Sequence, residues 1–206
     1  MLFNLVNVKY KFENQEILRP LNFKVNRDEH LLILGPSGCG KTTLINLMGG
    51  LLKPSSGEIF FEGKNLLLLK EDELDKIRSK NFGFIFQNFY LIKHLNIEQN
   101  IMLVQDNTNK ERINLLIKEL GLKDIKKKLV KNLSFGEAQR VAIARGVANE
   151  AKVIFADELT SGLDDKNTEK VMKLIFKQIK LTNSTLIVCT HDKRIKGLFK
   201  NVLEIK

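Results

Sequence analysis

An α/β fold follows from three features of this 206-residue sequence: short, continuous apolar runs that end in glycine or carboxylates, helical-period stretches between them, and an alternating apolar and polar opening. Strands buried on both faces need such unbroken apolar runs, so the core sheet is expected to be mainly parallel. The opening predicts an N-terminal antiparallel β-layer, and a long polar span in the middle predicts an inserted helical subdomain.

Taken in order, Leu5, Val8 and Tyr10, and then Ile17, Leu21, Phe23 and Val25, alternate with polar neighbours between Leu2 and Val25, as antiparallel strands do. Leu31-Leu32-Ile33-Leu34 is a buried parallel strand that delivers the chain into a glycine loop, and a helix follows from Lys41 to about Leu51. Lys53-Pro54-Ser55-Ser56-Gly57 reads as a turn, Glu58 to Glu62 as a strand, and Lys70 to Lys80 as a charged helix with Leu74 and Ile77 inward. Gly83 to Phe86 is another buried strand. From Asn88 to about Leu133 the pattern is helical and polar, with Ile113, Leu116, Ile117 and Leu120 at helix spacing and a stop at Gly121. A helix from Gly136 to about Asn149, a strand Val153 to Ala156, a helix from near Asp165 to Leu181, a strand Thr185 to Cys189 and a terminal strand around Val202 to Ile205 complete the series. The length suits a single domain over 1–206, with a core from about 1–87 and 150–206 and the helical subdomain at about 88–149.

No apolar stretch reaches the roughly 20 residues that cross a bilayer, and Met1-Leu2-Phe3-Asn4 lacks the basic start of a signal peptide, so a soluble, cytoplasmic protein is expected. Cys39 and Cys189 have no metal-like spacing and are expected to be reduced thiols. The formal charge of +10 comes mostly from lysines scattered along the chain, which reads as solvated surface and not as a nucleic-acid patch.

Gly35-Pro36-Ser37-Gly38-Cys39-Gly40-Lys41-Thr42 matches a phosphate loop in its required context, after an apolar strand and before a helix. Its amides and the helix N-terminus would converge on phosphate oxygens, Lys41 would reach the β- and γ-phosphates, Thr42 would place its hydroxyl on Mg²⁺, and Thr43 would assist. Asp157 and Glu158 end a buried strand, where α/β sheets bind ligands; Asp157 would hold Mg²⁺ through water and Glu158 would polarise the water that attacks the γ-phosphate of ATP. His191 leaves the strand before Asp192 in the same way and could bond the γ-phosphate. Gln87 ends Phe84-Ile85-Phe86 and could reach the metal or the water.

These segments, together with Leu133-Ser134-Phe135-Gly136-Glu137 and Ser161-Gly162-Leu163-Asp164, stand in the order found in ATP-binding cassette (ABC) ATPases, and the sequence resembles that family over almost its whole length. The resemblance implies a P-loop fold of the ABC type and two ATPase subunits, in a homodimer or heterodimer, packed head to tail. Ser134 and Gly136, with Glu137 completing the segment, would then meet the γ-phosphate held by the other subunit, and Asp164 would lie between the two sites. It further implies that Phe12 stacks on adenine, with Tyr10 the alternative, and that a groove near Asn88 to Leu95 receives a helix of an integral membrane permease at the cytoplasmic face of the membrane. Phe135 departs from the family's glycine and Leu159 from its proline. Within the family, Gly83-Phe84-Ile85-Phe86-Gln87 and Gln139-Arg140-Val141-Ala142-Ile143-Ala144-Arg145 look like the lipoprotein-releasing and macrolide-exporter group. A cell-division ATPase is the near alternative and a soluble ABC ATPase acting on DNA or ribosomes the further one; this sequence shows none of the coiled-coil, zinc or second-cassette additions expected of the latter, so nucleic acid is not the expected partner.

Overall fold

The structure is a computed structural model that describes residues 1–105 and 109–205. The alternating opening forms two long strands, β1 (Phe3–Phe12) and β2 (Gln15–Val25), paired antiparallel; β4 (Ser56–Phe61) adds to the free edge of β1 and β5 (Lys64–Asn65) lies outside it. The second sheet holds the apolar runs: β3 (Leu31–Leu34), β6 (Phe82–Ile85), β7 (Val153–Asp157), β8 (Thr185–Thr190) and β9 (Asn201–Glu204). Their order is β6-β7-β8-β3-β9, and every pairing is parallel.

Both faces of this sheet are covered, which is why the central strands β3, β7 and β8 are buried along their whole length, whereas the edge strand β9 exposes Asn201 and Glu204. Leu32, Ile154, Ala156, Leu186 and Val188 face a core shared with the helices α3 (Ile97–Met102), α4 (Lys110–Glu119), α5 (Phe135–Ala148) and α6 (Asp165–Thr182). Leu31, Ile33, Phe155, Ile187 and Cys189 face a second core built with α1 (Lys41–Met48) and the antiparallel sheet. In that second core Phe3, Phe61, Phe82 and Phe155 form a ring cluster with centroids 4.8–6.0 Å apart. The remaining helix, α2 (Glu71–Asn81), buries Leu74 as its spacing predicts.

The structure corrects three boundaries. The first helix ends at Met48 instead of near Leu51, because Gly50 turns left-handed at φ 67° and the amides of Leu51 and Leu52 both return to Asn46 O. β4 starts inside the expected turn, since Ser56 pairs with Lys9 of β1. The span from Asn88 to Leu133 is not continuous helix: it holds the short α3 and α4, with irregular backbone before and after them, and residues 106–108 within it lie outside the described residues. Tertiary bonds divert it. The Asn100 side chain bonds both Ile92 N and Ile92 O, and Val130 N returns to Leu95 O. Within α4, Ile113, Leu116 and Ile117 are buried as expected, Leu120 follows as the cap, and the chain turns away at Gly121 with φ 65°.

Candidate functional site

Since β3, β6, β7 and β8 run parallel, their C-terminal ends open on one edge of the sheet. The loop after β3 contributes Ser37, Gly38, Gly40, Lys41, Thr42 and Thr43 to a cleft of about 250 Å³ there; Gln87 follows β6, Glu158 follows β7 and His191 follows β8. Four segments scattered over more than 150 residues of sequence thus meet in one place.

The loop needs glycine at position 40, where φ is 92° and a Cβ would lie 2.7 Å from Ile17 O. Gly40 also opens α1, so the first amides of that helix are unpaired within it and point their partial positive charge at the cleft. Lys41 is buried and donates from Nζ to Gly35 O (2.9 Å) and Pro36 O (2.8 Å). Its ammonium is therefore held over its own loop. Cys39 and Cys189 are both free thiols; Cys189 donates to Lys41 O at 3.3 Å, and burial pushes its thiol well above the ordinary range.

The Thr42 hydroxyl donates to Asp157 Oδ2 at 2.7 Å, while Asp157 Oδ1 is buried with no hydrogen-bond partner. Burial raises the Asp157 carboxyl above its usual value; Thr42 and Lys41 oppose the shift and the neighbouring Glu158 charge adds to it. An orphaned carboxylate oxygen beside a threonine hydroxyl suits a hard divalent cation, which would relieve the same desolvation. Among the described residues no group of three or more His, Cys, Asp and Glu side chains is arranged as a metal centre, so a cation here would rely on Thr42, Asp157 and phosphate oxygens.

Glu158 is in left-handed backbone (φ 48°), with its amide on Cys189 O at 2.8 Å. Its Oε2 accepts from Thr190 Oγ1 at 2.9 Å and lies 2.9 Å from His191 Nδ1, while Oε1 lies 3.4 Å from Lys41 Nζ. A carboxylate fixed on three sides beside the phosphate loop is placed to take a proton from a water. Thr190 and Ile17 are members of this surround that sequence reasoning missed; the position of Thr190, directly before His191 at a strand end, was the available signal for the first.

The other expected site residues do not line this cleft. Ser134 caps α5, its Oγ accepting from Glu137 N (3.3 Å) while Glu137 Oε2 accepts from Ser134 N (2.7 Å). This reciprocal cap was legible as Ser-x-x-Glu. Asp164 caps α6 through Asn167 N at 2.8 Å. Phe12 is 61% exposed at the end of β1, whereas Tyr10 packs against the second core. Gly136 has open space beside it: a Cβ there would meet only Arg140 Nη1 at 3.6 Å. Leu159 is buried and its carbonyl accepts from Gln139 Nε2 at 2.8 Å, and Phe135 is largely exposed.

Comparison with known proteins agrees with the sequence resemblance. The family model of the ABC transporter matches residues 18–161. The chain is 38% identical over 197 residues to the putative hemin import ATP-binding protein HrtA of Staphylococcus haemolyticus (93% of this chain, 89% of that protein) and 38% identical over 206 residues to the lipoprotein-releasing system ATP-binding protein LolD of Aquifex aeolicus (97% and 92%). It is 35% identical to the macrolide export ATP-binding/permease protein MacB 1 of Yersinia pestis, covering all of this chain but 33% of that protein. Among solved structures it superposes on the ATP-binding cassette MJ0796, dimeric and bound to ADP and Pi in a post-hydrolysis state, with a TM-score of 0.89 at 34% identity, covering 100% of this chain and 94% of that one.

Proposed function

This chain belongs to the ABC transporter family as an ATP-binding subunit whose ATP hydrolysis is coupled to transport, and on that premise we propose that two such subunits close over ATP to drive a membrane permease of the lipoprotein-releasing or macrolide- and peptide-exporting type. The observation that carries the chemistry is the Thr42–Asp157–Glu158–His191 cluster at the end of the phosphate loop. In this reading Lys41 leaves the carbonyls of Gly35 and Pro36 for the β- and γ-phosphates, and Thr42 and Asp157 hold Mg²⁺ with Gln87. The bound cation supplies charge neutralisation on the phosphate oxygens. Glu158 orients the attacking water and accepts its proton, and His191, now bonded to Glu158, turns to the γ-phosphate. Phe12 stacks on the adenine, its exposure leaving the ring free.

Ser134, Gly136 and Glu137 lie outside the chain's own cleft, which supports their service to a second subunit's ATP, with Asp164 between the sites. The described residues contain no helix long and apolar enough to cross a membrane, so the crossing is assigned to the permease. An apolar groove of about 430 Å³, lined by Leu51, Phe84, Phe86, Ile92 and Leu103, opens beside the segment that follows Gln87 and suits an amphipathic helix of that permease at the cytoplasmic face. Relatives of similar identity bear names that refer to hemin, lipoprotein and macrolide, which supports cargo choice by the permease. In this scheme about 1–87 and 150–206 form the nucleotide-binding core and about 88–149 the helical subdomain.

Glu158→Gln tests the scheme. It is expected to bind ATP, to lose about 10²- to 10³-fold in kcat, and to accumulate an ATP-dependent dimer in size-exclusion light scattering. Wild-type turnover in that variant would remove Glu158 from the water-activating role.

A further inference from the structure

Phe135, the residue that departs from the family pattern, stands in the first turn of α5 with its ring centroid 5.1 Å from that of Phe89. Phe89 and Tyr90 are consecutive residues in left-handed backbone, with φ 57° and 44°, a conformation that non-glycine residues keep only where surrounding contacts impose it. The same helix supplies a second contact: Arg145, toward its other end, donates from Nη1 to Tyr90 O at 2.7 Å and from Nη2 to Phe89 O. From the other side Phe86 meets Tyr90 edge to face at 5.3 Å. Gln87 lies between Phe86 and this pinned turn and is one of the residues lining the cleft.

We propose that Phe135 is a positioning residue that joins the Ser134–Gly136 end of α5 to Gln87 through the Phe89 ring. The inference rests on the reading of Ser134 and Gly136 as the face offered to a second subunit's ATP. Arg145 holds backbone carbonyls and would do so with any side chain at position 89, whereas the ring pair ties that turn to the residue next to Ser134 itself. A γ-phosphate drawn against Ser134 therefore shifts Phe135, Phe89 and Gln87 together, so one site's occupancy sets the placement of a cleft residue in the other. The family's glycine has no side chain with which to make this link.

ATP hydrolysis by the full chain is compared for wild type, Phe135→Ala, Phe89→Ala, the double variant and Phe135→Tyr, with folding of each checked by its melting temperature. Loss of one aromatic pair is expected to lower kcat about 2- to 10-fold with KM for ATP unchanged. The double variant is expected to be no slower than the slower single variant, and Phe135→Tyr, which keeps the ring, to stay within about twofold of wild type. Wild-type kcat in Phe135→Ala, multiplicative losses in the double variant, or a rise in KM in place of the fall in kcat each overturns the link. Glu158→Gln separates the two levels: if it loses turnover while the Phe135 series is flat, the aromatic link alone fails, and if it hydrolyses like wild type, the underlying ATPase reading fails.

Discussion

Glu158 reaches the cleft through one unusual dihedral: at φ 48° a non-glycine residue carries strain of about 1–3 kcal/mol, and neighbouring bonds must hold it there. Thr190 is the centre of that support. It donates from its hydroxyl to Glu158 Oε2 and accepts the Asp192 amide at 3.0 Å; Asp192 in turn accepts from Thr160 at 2.7 Å and from the Arg194 guanidinium at 2.8 and 2.9 Å. The Arg194 guanidinium holds the Asp192 carboxyl at about 2, with Thr160 adding to the effect. A depressed carboxylate pKa contributes stability that is full above the unfolded value near 4 and is lost as pH falls toward 2. Asp192→Asn is thus expected to cost about 1–2 kcal/mol at neutral pH, after allowance for solvent screening at the part-exposed Arg194, and clearly less at pH 3. Urea denaturation at the two pH values checks this; an equal penalty at both would show that the charge is not the source. At this scale the sequence pointed to Lys41, Asp157 and Glu158 as candidates, because a phosphate loop and a carboxylate pair after an apolar strand rarely occur together outside a nucleotide site. The structure brings the three side chains together. The sequence hid Thr190 and Thr160, whose hydroxyls look like any others until the strands are paired.

At the scale of elements, α5 packs on β6 with no room for a side chain at Gly83 or Gly146. A Cβ on Gly83 would come within 1.9 Å of Gly146 O, and one on Gly146 within 2.5 Å of Ile85 Cγ1. The first obstacle is backbone and cannot swing aside, so Gly83→Ala is expected to destabilise the protein by about 2–3 kcal/mol and to lower its melting temperature by several degrees. An unchanged melting temperature in calorimetry would mean that α5 can move off the sheet freely. This contact also seats Arg145 against the turn after Gln87. The expected bounds of α5 and α6 lie within a residue or so of those observed; α6 buries Thr168, Met172, Ile175 and Ile179 at helix spacing, while α5 is buried along nearly its whole second half. Helical period failed between Asn88 and Leu95, where no local preference favours the left-handed Phe89 and Tyr90 and the conformation depends on Arg145, 55 residues away from Tyr90.

For the whole molecule, the decisive arrangement is a separation: the phosphate loop lies at the parallel-sheet edge, and Ser134 begins a helix that does not line that cleft. The shared-site reading therefore predicts complementation. Ser134→Arg and Lys41→Ala subunits are each expected to be nearly inactive alone, and mixing them should restore part of the ATPase activity, because one composite site then keeps both intact elements. A mixture no more active than its components would rule out sites shared between subunits.

By itself the sequence determined the fold class, the strands of the core and the phosphate-loop pattern, because each is written in contiguous residues: an apolar run, a glycine spacing, a helical stripe. Tertiary structure alone decided which strand ends adjoin, that Thr190 braces Glu158, and that Phe135 meets Phe89 instead of standing free. Such contacts join residues with no local relation. Only the parallel order of β6, β7, β8 and β3 brings their ends together, and the connections between these strands cover both faces of the sheet.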